Sequence, residues 1–242
     1  MSDLCFTKMQ ALGNDFVLLT TPEPLTSDQI RFLCDRRLGI GCDQLILLRD
    51  HPTADAEITF YNADGSIALA CGNGTRCVAA SLNKVEGEIQ TPSGLFHFWR
   101  KGEEVTISLK SPPPPVKCAQ GYQVDVGNPH HVIFVENLES VDLTALALSL
   151  QPPGGINVEV AQVVDSTTIK ARVWERGVGI TPACGSGACA VGFLALHLGL
   201  VEKAPLILEM EGGHLGVEWH EGGPLLLTGP AEFCFEGRIA LP

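Results

Sequence analysis

Positive charge is scarce in this sequence. Lysine and arginine number 16 against 28 aspartates and glutamates, a formal charge of −12 over 242 residues. Nucleic acid and anionic membrane surfaces are therefore poor partners, because both call for clustered cations. Long apolar runs are lacking as well. The longest nearly apolar stretch, Ala188 to Val201, contains His197 and falls short of the roughly 20 residues that span a bilayer. The start, Met1 to Gln10, shows no basic residues followed by an apolar stretch. A secretory signal is not expected, and a cytoplasmic location is. Cysteine itself is plentiful, but its pairing signals are missing. The nine cysteines are an odd number and include no C-x-x-C pair. A disulfide scaffold, a zinc ribbon and a thioredoxin-like redox site are set aside, and no metal site is expected. Disorder is set aside too, since charged residues make up only 18% and hydrophobic ones 45%.

What is present is a repeat. The 26 glycines and 16 prolines suggest many turns and a β-rich chain. Within it Ala70-Cys71-Gly72-Asn73-Gly74 recurs as Ala183-Cys184-Gly185-Ser186-Gly187, at an offset of 184 − 71 = 113. Phe60-Tyr61-Asn62 falls on Val173-Trp174-Glu175, and Asp43 to Ile46 falls on Ile156 to Glu159, at the same offset. Leu12-Gly13-Asn14 matches Val126-Gly127-Asn128 at 114. Patterns in one order at one offset indicate two homologous halves. Pro112 to Pro115 reads as an extended linker, so the halves are expected over 1–111 and 116–229. Alternation predicts strands over Glu57–Tyr61, Val105–Leu109, Lys170–Trp174 and Leu225–Thr228. Helices are predicted over Gln29–Leu38, Cys77–Lys84 and Ala188–Leu198. The expected class is α+β: two pseudo-symmetric lobes, each a mixed, mainly antiparallel sheet wrapped on one main helix, with an active site in the cleft between them.

Each repeated motif runs strand, glycine turn, Cys-Gly-x-Gly, helix. The cysteine then sits at or just before a helix N-terminus, where free N–H groups and the helix dipole favour a thiolate and can hold a carboxylate. Two such cysteines, one per half, suit inversion at a single carbon. One thiolate removes the α-proton and the other thiol delivers a proton to the opposite face. The lysines sit in no motif of the kind a pyridoxal enzyme needs. The expected route is cofactor-free, with backbone amides stabilising the carbanion. Cys77 and Cys189 are read as buried hydrophobes.

These motifs resemble those of the diaminopimelate epimerase family over nearly the whole chain. The segments that carry the resemblance are Lys8–Phe16, Gly39–Gln44, Asn62–Ser66, Ala70–Cys77, Gly127–His130, Asn157–Glu159, Trp174–Gly177 and Ala183–Cys189. The resemblance implies cofactor-independent interconversion of LL- and meso-2,6-diaminopimelate on the route to lysine, by a cytoplasmic homodimer. It implies that Cys71 and Cys184 are the acid/base thiols. It also implies that Gly72, Asn73, Gly185 and Ser186 hold the reacting carboxylate, and that His130 and Glu175 lie near the reacting amine. Asn14, Gln44, Asn62, Asn128, Asn157 and Arg176 are implied as the substrate shell, with Arg176 and the asparagines on the distal end. The strand after Pro230 returns to the first lobe in such folds. Three departures stand out. Ile180 replaces an acidic residue, the stretch from Asp142 to Ile156 is short, and Ser186 replaces a threonine. The alternative is a sister racemase or isomerase of the same fold acting on another substrate.

Overall fold

The computed structural model of the chain describes residues 3–202 and 205–241. The chain divides into two compact units, Met1–Ile107 with Pro230–Pro242, and Ser108–Gly229. The first unit runs β1 (Leu4–Ala11), β2 (Asn14–Thr20), α1 (Ser27–Cys34), β3 (Gln44–Arg49), β4 (Ala56–Asn62), β5 (Ile67–Ala68), α2 (Gly72–Ser81), β6 (Glu86–Thr91), β7 (Gly94–Lys101) and β8 (Glu104–Leu109), the last crossing the dividing point. Strands β2 and β3 pair in parallel, as do β4 and β6, and the remaining pairs are antiparallel.

The second unit repeats this plan. After the short β9 (Val116–Lys117) come β10 (Tyr122–Asp125), β11 (Pro129–Phe134), α3 (Leu143–Ser149), β12 (Asn157–Val163), β13 (Thr168–Glu175), β14 (Gly179–Thr181), α4 (Gly185–His197), β15 (Leu206–Met210), β16 (Gly213–Trp219) and β17 (Leu225–Pro230). Again two pairs are parallel, β11 with β12 and β13 with β15, at the equivalent places. The final strand, β18 (Glu232–Ile239), pairs antiparallel with β1 in the first unit. Residues 110–115, with the four prolines, carry no regular structure. Each unit is thus a sheet-dominated α+β fold, a mixed and mostly antiparallel sheet around a central helix, as the composition and repeat led us to expect.

The central strands are buried on both faces, which is why they read as unbroken apolar runs. In the first unit Val17, Leu19, Leu45 and Leu47 pack with Ile30 and Leu33 of α1. Their neighbours Phe16, Ile46 and Phe60 point the other way, toward Gly74 of α2. In the second unit Val158 and Val160 pack with Leu143 and Ala147 of α3, and the alternate residue Glu159 faces Gly187 of α4. Each fully buried Leu, Ile or Phe contributes about 1.5–3 kcal/mol. Among the described residues no helix is long and apolar enough to cross a membrane.

The helices depart from the sequence expectation in three ways. Helix α1 covers Ser27–Cys34 rather than Gln29–Leu38, because Thr26 and Gln29 form a capping box at its start and Asp35 turns extended at its end. Both motif helices begin earlier than expected, at Gly72 and Gly185 rather than Cys77 and Ala188. The glycine-rich turn of each motif is the first turn of the helix itself. Glycine's low helix propensity is overridden there by the cap and by packing on the sheet. Helix α3 was not foreseen. It is short and starts on Asp142, whose side chain accepts the Ala145 N–H.

Close helix–sheet approach generates a stability prediction. A Cβ on Gly192 of α4 would lie 2.6 Å from Cγ1 and 2.9 Å from Cβ of Val217 on β16. A β-branched side chain cannot swing away. Gly192→Ala should destabilise the protein by about 1–3 kcal/mol through overpacking, read as a lower urea midpoint. An unchanged midpoint would show that α4 does not seat this tightly.

Candidate active site

Both motif cysteines are helix N-caps. Cys71 has φ −151° and ψ 105°, and its Sγ accepts the Gly74 N–H at 3.4 Å. Cys184 has φ −133° and ψ 114°, and its Sγ accepts the Gly187 N–H at 3.3 Å. Extended backbone at this position aims the side chain back at the third helical amide, a place usually held by Ser, Thr, Asp or Asn. With sulfur as the cap, the reactive atom is fixed against the positive end of the helix. Cys77 and Cys189, further along the same helices, are fully buried.

Sheet topology gathers the polar residues around each cap. In the first unit Asn14 opens β2, Gln44 opens β3 and Asn62 closes β4. Because β2 and β3 are parallel and β4 runs back, all three lie at one end of the sheet. Gln44 sits directly across from Asn62 and donates to its Oδ1 at 2.9 Å. Asn14 Oδ1 lies 4.0 Å from Cys71 Sγ and accepts from Asn73 Nδ2 at 3.4 Å. Its amide nitrogen donates to Asp43 at 2.8 Å. Behind Asn14, Asp15 is bound by Arg36 and Lys8. Burial opposes ionisation of Asp15, but the hydrogen bonds from Arg36 and Lys8 outweigh it and hold the carboxyl well below its usual range.

The second unit places its set the same way. His130 follows the start of β11, Asn157 opens β12 and Glu175 closes β13, with His130 opposite Asn157 in register. His130 is fully buried; its Nδ1 lies 2.6 Å from Glu159 Oε1 and its Nε2 3.1 Å from Asn128 Oδ1. Asn128 Nδ2 donates to Ser186 Oγ at 3.4 Å, and Ser186 Oγ lies 3.4 Å from Cys184 Sγ. Asn157 Oδ1 accepts the Arg176 N–H at 2.9 Å. Arg176 itself is exposed and donates to Gly154 O at 3.2 Å. Its stem lies where a Cβ on Gly155 (φ +74°) would be, so the Gly154-Gly155 turn is what seats the guanidinium. The short Asp142–Ile156 segment is closed from inside by Gln151, which bonds Ala147 O and both polar groups of the Ile156 backbone. Ile180 is half-exposed across from Trp174, and the next residue, Thr181, donates to Glu175.

Electrostatics correct one expectation. The helix N-terminus was expected to favour the thiolate at both cysteines. At Cys184 burial dominates and pushes the thiol well up, reinforced by Glu175 and Glu159 against the help of Ser186 and the Gly187 amide. Glu175 is pushed up as well, by burial, despite hydrogen bonds from Thr181 and Cys184. Cys184 therefore rests as a thiol. Glu159 is the residue that motif reading passed over. A lone acid inside Val158-Glu159-Val160-Ala161, an otherwise apolar run, was the available signal.

The acidic neighbours of Cys184 make a testable pair. Glu175→Gln removes a negative charge beside the sulfur, so the thiolate of Cys184 should form at lower pH. Peptide-resolved iodoacetamide labelling against pH checks this, and a midpoint unmoved or raised would contradict the geometry.

Comparison with known proteins bears on this arrangement. The diaminopimelate epimerase family model matches residues 6–117 and again 122–234, one match per repeat. The chain is 40% identical to a diaminopimelate epimerase of Rhizorhabdus wittichii, over 98% of this chain and 95% of that protein. It is 38% identical to the diaminopimelate epimerase of Bacteroides thetaiotaomicron, over 97% of each. Among solved structures it resembles a PhzF-family phenazine biosynthesis protein of Bacillus anthracis, with TM-score 0.78, 15% identity and full coverage of both chains. It also resembles a hydroxyproline epimerase of Agrobacterium vitis, with TM-score 0.70 and 12% identity over 99% of this chain and 91% of that one. These two show a shared fold. With the family model matching both repeats and relatives identical at two positions in five, the chain belongs to the diaminopimelate epimerase family.

Proposed function

We propose that this protein interconverts LL- and meso-2,6-diaminopimelate, an isomerase step serving lysine biosynthesis in the cytoplasm, and that it works as a homodimer. The observation that carries the reading is the pair of cysteine N-caps in equivalent places of the two repeats, within a chain of this family. Cys71 and Cys184 act on one α-carbon, one removing its proton as thiolate and the other giving a proton as thiol. Each proton removed leaves a thiol in place of a thiolate, so the roles exchange in the reverse direction. The two sulfurs share one proton and titrate as a dyad.

The substrate's reacting carboxylate is taken by the free amides of Gly72, Asn73, Gly185 and Ser186 in the first turns of α2 and α4. As the α-proton leaves, charge moves onto that carboxylate, and pre-aimed amides stabilise it without reorganising. His130 and Glu175 lie near the amine. Asn14, Gln44, Asn62, Asn128 and Asn157 bind the zwitterionic ends without adding net charge. The Arg176 fork suits the distal carboxylate. Shorter amino acids would leave these groups unpaired and be rejected. A related racemase is the second reading, since a hydroxyproline epimerase has this fold. Substrate scope separates the two: turnover of proline with none of diaminopimelate would favour the racemase.

Replacing either Cys71 or Cys184 by Ala should lower epimerisation by more than about a thousandfold, measured as conversion of the LL to the meso isomer by chiral chromatography without added cofactor. A fully active single variant would refute the two-base scheme. Arg176→Lys, which keeps the charge but loses the planar fork, should raise KM about tenfold or more with little change in thermal stability. An unchanged KM would remove Arg176 from the distal site.

A further inference from the structure

Glu159 is assigned no role in the proposed reaction, yet it is tightly held. It is fully buried on β12. Its Oε1 lies 2.6 Å from His130 Nδ1, and its Oε2 has no hydrogen-bond partner among the described residues. A carboxylate is costly to bury unless something compensates it. Two features do so: the imidazole, and the first turn of α4. A Cβ on Gly187 would stand 2.8 Å from Glu159 Oε1, so the carboxylate is tucked beneath the positive end of that helix. Only glycine at 187 leaves room for it.

The pair sets the polarity of what lies beyond. His130 Nε2 faces the carbonyl oxygen of Asn128 and must carry a hydrogen to bond it. The 2.6 Å contact with Glu159 fixes the position and plane of the ring, so that Nε2 is held on the Asn128 oxygen. With its oxygen engaged, Asn128 turns its NH₂ to Ser186 Oγ. The Ser186 hydroxyl, its oxygen now accepting, has its hydrogen free for Cys184 Sγ at 3.4 Å. Every donor in the series points toward the sulfur.

We infer that Glu159 is a positioning residue for proton transfer at Cys184, holding His130 so that Asn128 and Ser186 line up as successive hydrogen-bond donors onto the sulfur. It deepens the epimerase reading, on which it rests for the reaction served. Donation from Ser186 is worth most to the thiolate, so the series eases proton loss from a cysteine that burial keeps protonated. The ionisable groups bearing on this sulfur are Glu175 from β13 and Glu159 from β12, with His130 from β11 against both acids.

Glu159 also acts on Cys184 simply as a charge, so the experiment must separate the two routes. The pH midpoint of Cys184 labelling by iodoacetamide is read peptide by peptide, with the exposed Cys5 in the same sample as control. Glu159→Gln is measured with and without Ser186→Ala. If Glu159 works through the series, its effect on the Cys184 ionisation constant should differ at least about threefold between the two backgrounds, because Ser186→Ala has already cut the path. Equal shifts in both backgrounds would mean charge alone and overturn the inference, as would no shift in either. If Glu159→Gln fails to fold, Glu159→Asp keeps the charge but withdraws it from His130 by one methylene, and the same comparison applies. Turnover is the separate arm. Wild-type protein should epimerise diaminopimelate, and Glu159→Gln should lower kcat about tenfold or more with KM nearly unchanged. An inactive wild type with coupled labelling shifts would count against the substrate assignment and not against the series. An active wild type with additive shifts would do the reverse.

Discussion

The arrangement depends on one hydrogen bond made twice, from a helix amide to a cysteine sulfur. At Cys71 and at Cys184 the sulfur caps its helix by accepting the amide three residues on. This bond has two consequences. It settles where the helix begins, turning a glycine-rich stretch that would otherwise be a loop into a first helical turn. It also leaves the neighbouring amides of that turn unpaired within the helix, aimed outward and available to an anion. Placement of the sulfur and of the uncapped amides is therefore one structural event.

The sheet does the rest of the assembly. Two adjacent parallel strands and a third running back bring two strand starts and one strand end to the same edge. Asn14, Gln44 and Asn62 occupy these places in the first unit. The second unit places His130, Asn157 and Glu175 in nearly the same positions. Polar residues are tolerated at such ends because the flanking strand interiors, buried on both faces, carry the stability. The duplication therefore copies a geometry, while each copy is free to change the chemistry of its side chains.

The copies have indeed diverged. Around Cys71 the neighbour is the Asn14 carbonyl, tied back to the Asp43–Arg36–Asp15 cluster, and the sulfur is only partly buried. Cys184 is buried, with two carboxylates near it and a hydroxyl at 3.4 Å. One environment is polar and partly open, the other closed and acidic. The two cysteines thus keep one backbone geometry in unlike surroundings.

Much of this was legible in the residues. Alternation at 57–61, 105–109, 170–174 and 225–228 read as strands, and the 113-residue offset disclosed the duplication because homologous halves keep their motif spacing. The recurring Cys-Gly-x-Gly marked the helix starts, since few other roles call for that combination. Helix bounds were less legible: glycine propensity argued against helix at 72–74 and 185–187, and only capping and packing reversed it. Helix α3, short and dependent on the second apolar face of β12, had no clear local signal. The chain alone thus determined the repeat, four of the strands and the cysteines that begin the two motif helices, because those follow from local pattern and spacing. The protonation state of Cys184 and the role of Glu159 were decided by tertiary structure. Both arise from burial and from side chains on different strands, and desolvation and charge act through space regardless of separation along the sequence.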